Sequence, residues 1–188
     1  VAPNAPSPDL VDRIELCARR ALDDRRASRW RGWYARQRSW IVDMASRLPF
    51  TLHQVAGAIA ALSPRVRWDY QRQHTEAAFR AYEAGTSLRY LGTHRNLRKA
   101  EDILGGLEPE DVLSGAKVRA FYANLTGDEG EVTIDAWAIR VAFGEDVVLT
   151  DKRVRDAAEA YRVVAGRLGL TPAECQALTW CARREGAA

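Results

Sequence analysis

Ser114–Ala142 reads SGAKVRAFYANLTGDEGEVTIDAWAIRVA. A Ser-Gly turn opens a helix-like run, the polar turn TGDEGE interrupts it, and a second helical run starts after the aspartate of VTIDAW. The chain carries its positive charge almost entirely as arginine, and its only lysines are Lys99, Lys117 and Lys152. Arginine keeps its proton in proteins, whereas a lysine shielded from water can lose it and become a nucleophile. Asp135 follows Lys117 by 18 residues and stands where the next helix begins. Its carboxylate can cap free backbone N–H groups there and also face a cleft. Two helices joined by a tight turn can bring the amine and the carboxylate together, a pairing that suits attack by the amine with the carboxylate managing proton transfer. The plain alternatives are a surface lysine at a helix start and an ordinary N-cap worth ~1 kcal/mol.

The pattern around this stretch is helical almost throughout. Pro8 and Asp9 open a first helix, Thr51 caps LHQVAGAIAAL, and Thr150 caps a long run that ends near Gly169. Thr171, Pro172 and Glu174 supply the cap, first-turn proline and capping-box partner of the last helix. Further helices are expected near 30–47, 68–85, 94–104, 115–126 and 135–143, giving an all-α protein of about eight to ten helices. EVTI and DVVL are the only β-branched clusters, each short enough for a loop. Residues 1–8 read as a proline-spaced tail and 9–188 as a single helical domain, or two small lobes sharing a cleft. Trp30, Trp33, Gln37 and Trp40 keep helical spacing among arginines. They form either one buried stripe beneath a solvated arginine face or a surface that stacks on bases.

Composition is that of a soluble globular protein, and no apolar run approaches a membrane span. No membrane association, a monomer and a cytoplasmic location are expected, with nucleoid association if the source is bacterial or phage. Cys17, Cys175 and Cys181 lack metal-site spacing and read as buried thiols. His53, His74 and His94 are too dispersed for a zinc motif and read as surface or cap residues, so no metal and no cofactor are expected. Charge is uneven. Residues 1–100 carry 18 basic and 9 acidic side chains, while residues 101–150 carry 3 basic and 11 acidic. The basic half suits a polyanion such as DNA; the acidic block around Lys117 opposes phosphate.

Taken together, GAK, the helix after it and VTID resemble the helix-hairpin-helix (HhH-GPD) DNA glycosylase superfamily, of the endonuclease III and 8-oxoguanine DNA glycosylase kind. Gly115, Ala116 and Lys117 match the end of the family hairpin L-P-G-V-G-x-K, and Val132-Thr133-Ile134-Asp135 matches the approach to its aspartate. AGAIAALSPRVRWDYQR is similar to the family's early helix and DNA-inserting loop, YLGTHRNLRKAEDIL to the segment before the hairpin, and AECQALTWCARREG to the closing helix. The likeness covers about residues 55–185. It departs at Val112 and Leu113, which stand where the family has its proline and first hairpin glycine, and it lacks the cysteine cluster that holds iron–sulfur in some relatives.

The resemblance implies a two-lobed all-α fold with the active cleft between the lobes and a hairpin near 111–126. It implies base excision from DNA, with Lys117 attacking C1′ to form a Schiff base that can then cleave the abasic site, and Asp135 assisting base departure. Ser114, Gly115, Ala116 and Arg119 would meet DNA at the hairpin. Arg65 would fill the space left by the flipped base, and Arg67 would touch the same DNA, a duplex with one base extruded or a single strand. Trp68 and Asp69 would line the base pocket, although Trp68 is equally suited to anchoring a core, and Ser63 before Pro64 reads as a turn residue. The alternatives are a superfamily member that modifies a hypermodified thymine of phage-type DNA by group transfer, and a DNA-binding module without chemistry.

Overall fold

A computed structural model of the chain describes residues 6–89, 92–145 and 147–186. Among the described residues the fold is all-α: eleven helices and no strand. They form two compact units, one taking in the chain up to Arg36 and from Gly127 on, the other Gln37–Thr126.

The Gln37–Thr126 unit is built around α4 (Leu52–Leu62), which is apolar on every side and buried from Val55 to Leu62. A helix without a polar face needs cover all round. It receives it from α6 (His94–Leu104), α8 (Ala116–Thr126), α7 (Pro109–Val112) and α5 (Trp68–Glu83). Thr51 caps α4 in a full capping box, with Gln54 as the reciprocal partner. Gly57 lets α7 approach: a Cβ there would stand 2.8 Å from Pro109 Cβ and Cγ.

In the other unit, α1 (Pro8–Leu22) buries Leu10, Val11, Ile14, Ala18 and Ala21 along one stripe. It packs against α9 (Ala136–Phe143), α10 (Asp151–Leu168) and α11 (Pro172–Arg184), and α2 (Ala27–Arg31) lies against α11. Trp30, Tyr161 and Leu178 sit within this core. Thr150 caps α10, Gly169 ends it in the left-handed region at φ 65°, and Thr171 with Glu174 forms the expected box on α11.

Several sequence expectations shift. The helix expected near 30–47 is two, α2 and α3 (Trp33–Arg47), parted at Gly32. Trp30 is core in one unit, Gln37 is buried in the other, and Trp33 and Trp40 are only half-buried, so the four do not make one buried stripe. The one-turn α7 was not expected; four residues are too few for a periodic signal. Helix α1 starts at Pro8, inside the expected tail, whose residues 1–5 lie outside those described. EVTI is irregular rather than strand, as are residues 147–149 of DVVL, whose Asp146 is outside the described residues, as are Tyr90 and Leu91 of YLGTHRNL. Cys175 and Cys181 are buried and Cys17 half-buried, all free. Burial pushes the Cys17 thiol up to about 11 and the other two to about 12, so none is a thiolate near neutrality. No helix among the described residues is long and apolar enough to cross a membrane.

Candidate active site

A short turn joins α7 to α8. Helix α7 ends at Leu113 in extended conformation, Ser114 follows, and Gly115 turns the chain at φ 85° into α8. Only glycine enters that region without a Cβ clash. Arg119, expected on DNA, is exposed and also reaches back. Its Nε donates to Leu113 O at 3.0 Å and its Nη2 to Glu110 O at 3.3 Å, satisfying carbonyls that the end of α7 leaves open. Lys99 on α6 donates to Ser114 Oγ at 2.5 Å, adding a cation beside the exposed Ser114-Gly115-Ala116 turn. Sequence reading missed Lys99 because 15 residues separate it from Ser114.

Lys117 lies in the first turn of α8, half-buried. Its Nζ donates to Ser63 Oγ at 3.3 Å and stands 5.7 Å from the centroid of the Phe121 ring one turn along. Ser63 caps the C-terminus of α4 and donates its own proton to Ala60 O at 2.9 Å, so its lone pairs are what the ammonium meets. It is more than a turn residue. From Phe121 an edge-to-face ladder runs to Trp68 at 5.8 Å and on to Trp40 at 5.9 Å, where Arg72 lies over the indole at 5.1 Å and donates to the buried Gln37 Oε1 at 2.7 Å. The lysine thus sits at one end of an aromatic cluster, which lowers the local polarity around its amine. Ser63 and Phe121 carry no sequence signal of this, since both depend on how α4 meets α8.

Asp69 does not join Trp68 in that cluster. It is exposed and pairs with Arg67 at 3.6 Å. Together with Arg65, Tyr70, Gln73 and Gly92 the pair lines an open groove of about 560 Å3. Arg65 is the one non-glycine residue with positive φ among those described, at 64°, a conformation that costs an L-residue about 1–2 kcal/mol. Because its side chain is exposed, Arg65→Gly is expected to stabilise the protein by about 0.5–1 kcal/mol once glycine's larger unfolded-state entropy is counted. Urea denaturation should show a higher midpoint at unchanged slope; a lower midpoint would mean that the arginine side chain holds the loop.

Asp135 belongs to the other unit, as the N-cap of α9. Its Oδ1 accepts from the backbone N–H groups of Trp137 and Ala138, both at 2.9 Å, and its Oδ2 from Trp180 Nε1 at 2.9 Å. The approach is anchored by Val132 and Ile134, both buried, and by a hydrogen bond between Thr133 and Tyr34. Tyr34 donates to Gln176 Oε1 at 2.8 Å, and burial raises its phenol well above the usual range. No group of three His, Cys, Asp or Glu among the described residues could hold a metal ion.

The described residues are helical without strands, with Lys117 set against Ser63 and Phe121 in one unit and Asp135 capping α9 in the other. The chain belongs to the family described as "Family of unknown function (DUF7178)", which matches residues 7–187. Neither curated proteins nor solved structures provide a match to the chain.

Proposed function

We propose that this protein is a DNA base-excision glycosylase with abasic-site lyase activity, of the helix-hairpin-helix kind, in which Lys117 is the nucleophile and Asp135 the assisting carboxylate. The observation that carries the reading is the setting of Lys117: a half-buried amine in the first turn of α8, two residues after the turn glycine Gly115, over Phe121 and against Ser63. Of the chain's three lysines, Lys152 is exposed in a pair with Asp156, and Lys99 serves Ser114.

In this reading Lys117, once its ammonium has given a proton to water, bonds through its nitrogen lone pair to C1′ of the extruded nucleotide. The N-glycosidic bond breaks, its electron pair leaves with the base, and the base takes up a proton. Asp135 offsets the positive charge that develops on the sugar as that bond lengthens. After nitrogen passes one proton to the departing base, its lone pair expels the ring oxygen O4′, which takes a proton from water, and the nitrogen keeps its remaining proton in the protonated Schiff base. Loss of a C2′ proton then expels the 3′ phosphate, and water frees the lysine. The half-buried Trp68 suits stacking on a planar base taken out of the stack, the step any such chemistry on duplex DNA needs.

Borohydride trapping tests this on oligonucleotides carrying an abasic site, uracil, 8-oxoguanine, oxidised pyrimidines or 5-hydroxymethyluracil. A covalent complex seen with wild type and absent in Lys117→Ala is the expected outcome, and the reactive oligonucleotide names the base class. Absence of adduct, strand break and released base together would sink the reading. A change in base mass with the sugar bond intact would then point to group transfer, and salt-sensitive binding alone to a DNA-binding module.

A further inference from the structure

Helix α11 presents Gln176, Trp180 and Arg184 at intervals of four residues, hence on one stripe. Gln176 is held by the Tyr34 hydroxyl. Trp180 meets Trp33 edge-on with ring centroids 5.4 Å apart, and the Arg184 guanidinium lies 4.5 Å from its ring. The indole is therefore clamped by neighbours from α3 and from its own helix. Its N–H points at Asp135 Oδ2, 45 residues away in sequence. This bond is not needed to cap α9, because Oδ1 alone serves both backbone donors.

We propose that Trp180 is the positioning residue for Asp135, its indole N–H fixing the carboxylate plane so that Oδ2 keeps one direction while the base departs. The inference rests on the reading of Asp135 given above. A carboxylate held through one oxygen can still rotate about Cβ–Cγ, a broad torsion for Asp. Holding the second oxygen removes that freedom before substrate arrives, and electrostatic stabilisation is largest when it needs no reorganisation at the moment of reaction. A charge-assisted hydrogen bond of this length has the strength to do so.

The test compares wild type, Trp180→Phe and Asp135→Asn. Phenylalanine keeps an aromatic ring for Trp33 and Arg184 while removing the donor along with part of the indole's volume. Single-turnover base release is expected to fall roughly 10- to 100-fold in Trp180→Phe, with DNA affinity within about twofold of wild type, a split that a general loss of structure would not give. The Trp180 indole N–H resonance of the full-length protein should stand downfield in wild type and move upfield in Asp135→Asn. This reading decides the matter even if Trp180→Phe does not fold. Release by Trp180→Phe within about twofold of wild type, beside an inactive Asp135→Asn, overturns the positioning role and leaves the glycosylase reading intact. An indole resonance unmoved by Asp135→Asn overturns it too. A fully active Asp135→Asn, or a wild type that releases no base, overturns both.

Discussion

Lys117→Arg is expected to form no trapped adduct with any oligonucleotide on which wild type forms one, and to lose strand cleavage by a factor on the order of 10^3 or more. The guanidinium keeps its proton and its nitrogen lone pairs are delocalised, so it cannot add to C1′. Charge and reach are nearly conserved, and the cation over Phe121 and the Ser63 acceptor can both be served by arginine. DNA affinity should therefore change little by fluorescence anisotropy, where Lys117→Ala loses a cation as well. Equal loss of chemistry in the two variants with unequal loss of affinity separates a nucleophile from a phosphate anchor. Trapping by the arginine variant would place the nucleophile elsewhere.

Gly57→Val is expected to lower the stability of the Gln37–Thr126 unit by about 3 kcal/mol. Glycine inside a helix normally costs about 1 kcal/mol relative to alanine, so position 57 forgoes that gain for a reason. An added Cβ would meet Pro109 Cβ and Cγ at 2.8 Å and Ile103 Cγ2 at 3.3 Å. A proline ring cannot rotate away, and Pro109 is the first residue of the helix that leads into the hairpin. Alanine should already destabilise by about 1 kcal/mol, the clash outweighing the propensity gain, and the two extra methyl groups of valine enlarge it. Urea denaturation should give falling midpoints in the order glycine, alanine, valine. An alanine variant more stable than wild type would mean that α7 yields easily and does not fix the hairpin.

Much of the helical framework was legible because its signals are local. Thr51, Thr150 and Thr171 cap the helices they were expected to cap, and Gly169 ends α10. His94–Leu104 forms the helix that its pattern predicts. Where short-range rules compete, the reading lost resolution. Gly32 splits a run whose aromatic spacing is continuous, and α7 is too short to show a period. Asp69 sits beside Trp68 in sequence, yet consecutive helical positions point apart, and it faces the Arg67 side. Arg119 reads in the sequence only as a cation near a turn, whereas the structure shows it also closing the open carbonyls at the end of α7.

The sequence by itself determined the all-α class, the capped starts of α4, α10 and α11, the glycine turn before Lys117 and the capping role of Asp135, since each follows from residues within about one helical turn of one another. Tertiary structure decided what those groups meet. Ser63 reaches Lys117 across 54 positions, and Trp180 reaches Asp135 across 45. Neither pairing has a spacing to read, because each exists only where separate helices pack. Burial then turns ordinary residue types into specific environments: a serine into an acceptor for an ammonium, and a tryptophan into the donor that sets a carboxylate's plane.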